Sequence, residues 1–200
     1  MIVDRPEGDL MSKREFPPKT WLTPLPAVLV SSSDSTGKPN IVTVAWCGIV
    51  CSKPAMLGIS LRPATHSHGI IKASGVFVVN VPGMDLARVV DFCGSVSGRE
   101  VDKFAAAKLT PLPGTKVSAP LIAQCPLNIE CRVTQVLELG LHHLFLAEII
   151  AVHADEEIVD GEGRLKDFFP LAFRPELWGY SSVGEALGGY GFSDKNPGER

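Results

Sequence analysis

Short apolar runs rich in Val, Ile and Leu recur along this chain, each closed by turn-forming residues, and no stretch of helical periodicity exceeds two or three turns. The runs are 27–33 (AVLVSSS), 41–50 (IVTVAWCGIV), 55–61 (AMLGISL), 75–81 (GVFVVNV), 127–139 (LNIECRVTQVLEL) and 144–154 (LFLAEIIAVHA). Asp, Ser, Gly, Pro and Asn in 34–40 separate the first two as a hairpin would, and the glycine-containing GLHH joins the last two. Short helical patterns fall at His68–Ala73, Met84–Phe92 and Arg99–Ala107. Strands at this frequency, without regular strand–helix–strand alternation, predict an antiparallel barrel rather than a doubly wound sheet.

The 200 residues, 45% hydrophobic and 20% charged, suffice for one core. A single domain is expected over 23–182. Before it, residues 1–22 read as an extended arm, because the prolines of FPPKTWLTPLP oppose helix. After it, 183–200 form a Gly-rich tail. A net charge of −3 with no basic stripe argues against a nucleic-acid partner. The apolar runs are too short for a signal peptide or a membrane span, so a soluble, cytoplasmic protein is expected. Five cysteines, at 47, 51, 93, 125 and 131, make an odd count with no CxxC, which predicts reduced thiols and neither disulfide nor zinc. Cys47 and Cys51 lie four apart on one strand, and so on one face.

The segment 43–82 concentrates the chemistry. Its first strand ends in Ala45-Trp46-Cys47-Gly48, where small residues let a flat ring approach the backbone. The plainer alternative makes Trp46 a core residue and Gly48 a bulge. The next strand runs into Arg62, Thr65, His66 and Ser67 as a helix begins, placing a guanidinium, hydroxyls and free amides where a phosphate could sit. The plainer alternative is an ordinary helix cap with a surface Arg. His66 and His68, two apart, face different ways on a helix and make no metal pair. His142 and His143 fall on opposite faces of a strand, so that one could face a cofactor. Ser97, Gly98 and Arg99 could present amides or hydroxyls to a ligand, with Lys103 on the helix beyond, or the stretch could be a solvated helix start. No G-x-G-x-x-G after a strand, P-loop, G-x-S-x-G or H-E-x-x-H is present, which removes the common dehydrogenases, NTPases, hydrolases and zincins.

Four motifs in order, PLPAVLVSSSDSTGKPNIVTVAWCGIVCSKPAMLGISLRP, HSHGIIKASGVFVVNVP, DFCGSVSGREVDKF and GLHHLFLAEIIAVHADE, resemble the flavin reductase-like family with an FMN-binding split barrel, within it the flavoredoxin type. The resemblance spans about residues 20–160. It implies a mainly β fold, a six-stranded antiparallel Greek-key split barrel with a few short helices, a homodimer and one FMN per subunit. By that likeness Thr43, Val44, Ala45, Trp46 and Cys47 would line the isoalloxazine and ribityl chain. Ser60, Leu61, Arg62, His66 and Ser67 would hold the phosphate end, and Asn80, Val81 and Pro82 would border the ring. Ser97, Gly98 and Lys103 would close over the cofactor, and His142 would lie near flavin and nicotinamide. His66 stands where flavoredoxin-like sequences often carry an aromatic residue. The tail, with Tyr190 and Phe192, resembles the family's closing segment. The implied activity is hydride transfer from NADH or NADPH to FMN. A second expectation is a tight FMN-binding electron carrier reduced by a redox protein partner, and a third is a barrel binding another phosphate cofactor or haem.

Overall fold

The computed structural model describes residues 13–184, with 167 and 169 excepted, so the first half of the expected arm and most of the tail, with Tyr190 and Phe192, lie outside the described residues. The main sheet is assembled from β2 (Val28–Ser33), β3 (Pro39–Val44), β4 (Cys47–Ser52), β5 (Ala55–Leu61), β6 (Val76–Val81), β9 (Leu127–Leu139) and β10 (His142–Ala154). The strands lie in the order β3-β2-β6-β9-β10-β5-β4, and every pairing is antiparallel. The two ends of that order, β3 and β4, are halves of one run kinked at Ala45–Trp46. The sheet therefore closes on itself through a covalent link, and the seven strands are the expected six-stranded barrel with one strand bent. The connection from β5 to β6 passes over the β9–β10 pair, which is the Greek-key step.

Alternation along β2 builds two cores. Val28 and Val30 face the barrel interior with Leu57, Ile59, Phe77 and Phe145, while Leu29 joins Ile41, Val90, Phe104 and Ile122 outside it. Both faces of β2 are thus buried. The outer core is covered by α2 (Ala87–Ser95) and α3 (Lys103–Ala106), and by a small sheet of β1 (Leu25–Pro26), β11 (Leu171–Arg174) and β12 (Gly179–Ser182). That sheet and the short pair β7 (Pro111–Leu112) and β8 (Leu121–Ile122) have no counterpart in the sequence-based expectation.

The helix bounds differ from expectation in instructive ways. α1 spans His66–Ser74 and stops at Gly75, whose φ of +70 is a left-handed cap open to glycine. The pattern from Met84 divides into a 3₁₀ turn, Met84–Leu86, and α2. The third helix is far shorter than Arg99–Ala107 because Asp102 caps it, its side chain accepting from the Ala105 N–H at 3.1 Å.

One buried carboxylate anchors the 113–120 segment. Glu130, on β9, accepts from the Thr115 hydroxyl (2.7 Å), from the N–H groups of Thr115, Lys116 and Val117, and from His153 Nε2 (2.6 Å). Burial pushes this carboxyl up, but the hydrogen bonds outweigh burial and hold it at about 2. Among the described residues no helix is long and apolar enough to cross a membrane.

Candidate functional site

Two adjoining clefts flank the kink between β3 and β4. The first, about 480 Å³, is mainly apolar and is lined by Ala45, Trp46, Cys47, Gly58, Ser60 and Leu144, with Lys19, Thr20, Leu22 and Leu25 of the N-terminal segment on its other side. Its floor follows from the kink. The Trp46 carbonyl accepts from the Ser60 N–H at 2.9 Å, which holds the bend against the end of β5 and leaves the indole at the cleft wall, 36% exposed. Gly58 keeps the floor low, since a Cβ there would stand 3.1 Å from Leu144 Cδ1.

The second cleft, about 290 Å³, is more polar than the first. Arg62, Thr65, His66 and Ser67 bound one side, and Ser97, Gly98 and Lys103 the other, with Asn40 at the base. Asn40 Nδ2 donates to Ser67 Oγ at 2.7 Å. That bond occupies an acceptor lone pair of the hydroxyl and leaves its proton available to the cleft. A Cβ on Gly98 would fall 1.9 Å from Asn40 Oδ1, so only glycine lets the 95–99 loop close down here. Thr65 is the helix N-cap, yet its hydroxyl donates to the Arg62 carbonyl at 2.9 Å rather than capping α1. Among the described residues the first amides of that helix therefore have no side-chain cap.

Lys103 is the decisive residue of this cleft. It is 4% exposed, and its ammonium donates to the Cys93 carbonyl at 2.6 Å. Burial pulls its pKa down, and among the described residues no carboxylate lies within ion-pair distance of it. A buried cation with one neutral acceptor calls for an anion. Near it, burial and then Arg99 lower the pKa of His66. A phosphate-bearing group fits the chemistry of this cleft.

The expected residues divide by location. Ala45, Trp46, Cys47 and Ser60 line the first cleft, and Arg62, His66, Ser67, Ser97, Gly98 and Lys103 the second. Val44 and Leu61 are buried in the barrel core. Thr43 turns its hydroxyl to the Val90 carbonyl of α2 (2.5 Å). Asn80 is fully buried, donating to Leu29 O and Ser31 Oγ and accepting from Ile122 N and Asn128 Nδ2. Val81 pairs with Leu127, and Pro82 is buried beyond it. His142 lies outside both linings, its ring parallel to Trp46 within 10° at 6.1 Å between centroids. Burial, and secondarily Arg62, lower its pKa.

Asn40, Gly58, Leu144 and the 19–25 segment are absent from the sequence-based set. Asn40 sits in a stretch whose composition reads as a turn, although its pairing with Ser32 already places it on a strand. The two cysteines of β4 also differ from expectation. Register shifts between Ile49 and Cys51, leaving Val50 unpaired, so the bulge puts Cys47 and Cys51 on opposite faces.

Comparison with known proteins places these clefts in a family setting. The Flavin reductase like domain matches residues 22–176. The flavoredoxin of Desulfovibrio vulgaris (Miyazaki F) superposes with a TM-score of 0.86 at 34% identity, covering 92% of this chain and 100% of that one. Flavoredoxin from Methanosarcina acetivorans gives 0.85 at 30% identity, over 92% and 97% of the two chains. The reductase component of a 4-nitrophenol 4-monooxygenase/4-nitrocatechol 2-monooxygenase of Rhodococcus opacus is 24% identical over 162 residues, 80% of this chain and 83% of that protein.

Proposed function

The chain belongs to the flavin reductase-like family, and from that premise we propose that it is an FMN-binding flavoprotein that takes electrons from NADH or NADPH and passes them on. The observation that carries the reading is Lys103, a buried ammonium without a carboxylate, opening onto a polar cleft beside an apolar slot. Lys103, the Ser67 hydroxyl and the first amides of α1 hold the phosphate, with Arg62, His66, Ser97 and Gly98 at its rim. Ala45, Trp46, Cys47 and Ser60 line the ring. Thr43, Val44 and Leu61 lie on the strands that carry these walls, while Asn80, Val81 and Pro82 line neither cleft. Leu22 and Leu144 give the slot apolar walls on its other sides.

Bound FMN would supply a ring that accepts a hydride, so no acid–base dyad is required of the protein. His142, with its lowered pKa, is neutral at pH 7 and positions the nicotinamide from beside Trp46. Ile49 and Val50, 68% and 52% exposed on the edge strand β4, suit a homodimer, with the slot at its border. The domain is taken as 23–182, flanked by an arm and a tail.

A second reading is a tight FMN-binding carrier reduced by a redox protein partner. The two flavoredoxins at 34% and 30% identity favour it. Anaerobic visible spectra of the purified protein decide between them. A flavin spectrum bleached rapidly by NADH or NADPH is the expected result, bleaching by dithionite alone supports the carrier, and a colourless protein that takes up no FMN sinks both. In the first case His142→Ala slows bleaching roughly ten- to a hundredfold while FMN stays bound, since misplacement alone costs about that much.

A further inference from the structure

One part-buried pair of titratable groups has no role in the proposed site. His68, on α1, and His143, on β10, meet ring to ring, with Nε2 of the first 3.0 Å from Nδ1 of the second. His68 is buried, and the Phe145 ring closes over it at 5.2 Å between centroids. The charges around the pair come from α1 and β9. Lys72 lies on His68's own helix, and Glu138 stands 3.8 Å from Lys72 Nζ and 3.9 Å from His143 Nδ1. Each imidazole adjoins a cleft-lining residue in sequence. Ser67, before His68, lines the polar cleft, and Leu144, after His143, lines the apolar one, with His142 beside Trp46.

We propose that the His68–His143 bond is a clasp that positions the two walls of the cofactor site relative to each other and opens on acidification, making cofactor retention pH-dependent. The inference rests on the reading of the clefts as a flavin site. Its chemistry is that of one hydrogen bond between two rings. A nitrogen–nitrogen bond needs one N–H and one lone pair, so the pair keeps its bond with both rings neutral or with one proton shared, and loses it when both are imidazolium. Burial, then His143 and Lys72, lower the pKa of His68, while Glu138 opposes them. The sign follows. A histidine whose folded pKa is depressed stabilises the fold fully above 6.5, and that contribution falls as the pH drops below 6.5 towards the folded value. Each pH unit in that window costs about a factor of ten in the folding equilibrium. The strain falls on α1 and β10, the two elements that carry Ser67 and His142.

Asn and Gln place an amide nitrogen near the positions of histidine Nδ1 and Nε2, so His68→Gln with His143→Asn keeps a neutral bond that cannot titrate. FMN dissociation constants and apoprotein Tm would be measured for wild type and the double variant from pH 7.5 to 5. FMN's own phosphate and His66 and His142 titrate in both proteins and cancel in the ratio. The wild-type to variant ratio of dissociation constants is expected near one at pH 7.5 and to rise steadily above one as the pH falls from 6.5 to 5, with wild-type Tm falling faster below pH 6.5. A ratio constant with pH and parallel Tm curves would overturn the clasp. Should wild type bind no FMN at any pH, the flavin reading fails, and the Tm comparison alone decides the clasp. Should the double variant not fold, imidazole nitrogen NMR of the wild-type apoprotein decides. A coupled pair with one ring resisting protonation well below 6.5 supports the clasp, and two independent titrations near 6.5 end it.

Discussion

On the proposed reading Lys103 holds the phosphate, and its removal is expected to separate binding from folding. Lys103→Met keeps the length of the side chain and deletes the charge. Charge-assisted hydrogen bonds are worth roughly 1.5–3 kcal/mol, so FMN affinity is expected to fall about ten- to a hundredfold while riboflavin, which has no phosphate, binds nearly as before. Equal losses for both ligands, measured by fluorescence titration, would remove Lys103 from the phosphate site. Apoprotein Tm is expected unchanged or raised, because an unpaired buried charge is itself a cost. At this scale the sequence was legible wherever a residue type has one dominant chemistry. Arg62, Ser67 and Lys103 all reach one cleft. It was less legible for groups that work in either role. The Asn80 amide spends both ends on Leu29, Ser31, Ile122 and Asn128, while Asn40, hidden in turn-like composition, lines the polar cleft.

Elements answer to local signals, and the misses are places where one residue interrupts a pattern. Capped by Asp102, α3 starts at Lys103, four residues later than the charge pattern suggests, and the Ala45–Trp46 bend divides what reads as a single strand over 41–50. The bulge at Val50 has a chemical consequence for the cysteines. Burial raises the Cys47 and Cys93 thiols to about 11 and Cys125 to about 12, and pushes Cys131 higher still. Cys51, across the bulge, pairs opposite Met56 on the outer side of β4. With iodoacetamide at pH 8, mass spectrometry of the native protein is expected to find the adduct on Cys51, since the thiolate is the reactive form. Modification of Cys47 at a comparable rate would show that burial does not suppress its thiolate.

For the molecule as a whole, acid stability depends on Glu130. Its carboxyl is held at about 2 against an ordinary 4.5, so the stability it contributes is complete above 4.5 and is lost as the pH falls from there towards 2. Glu130→Gln is expected to cost roughly 2–3 kcal/mol near neutral pH, because one amide cannot replace a carboxylate as acceptor for five donors. The same change should flatten the pH dependence of urea unfolding between 4.5 and 2, and an unaltered slope there would assign acid sensitivity elsewhere. The barrel itself was legible from strand frequency and turn chemistry, and its Greek-key arrangement and family from motif order. The small β1-β11-β12 sheet was not, because two of its strands are four residues each and the third is two, too short for alternation to register. Closure of the barrel through the Ala45–Trp46 bend also governs how the chain can be rewired. The cylinder has no seam held by hydrogen bonds alone at that point. New termini placed in the β9–β10 turn at Gly140 should leave a permuted protein able to close, whereas a single backbone cut between residues 45 and 46 would turn the cylinder into an open ribbon with two raw edges.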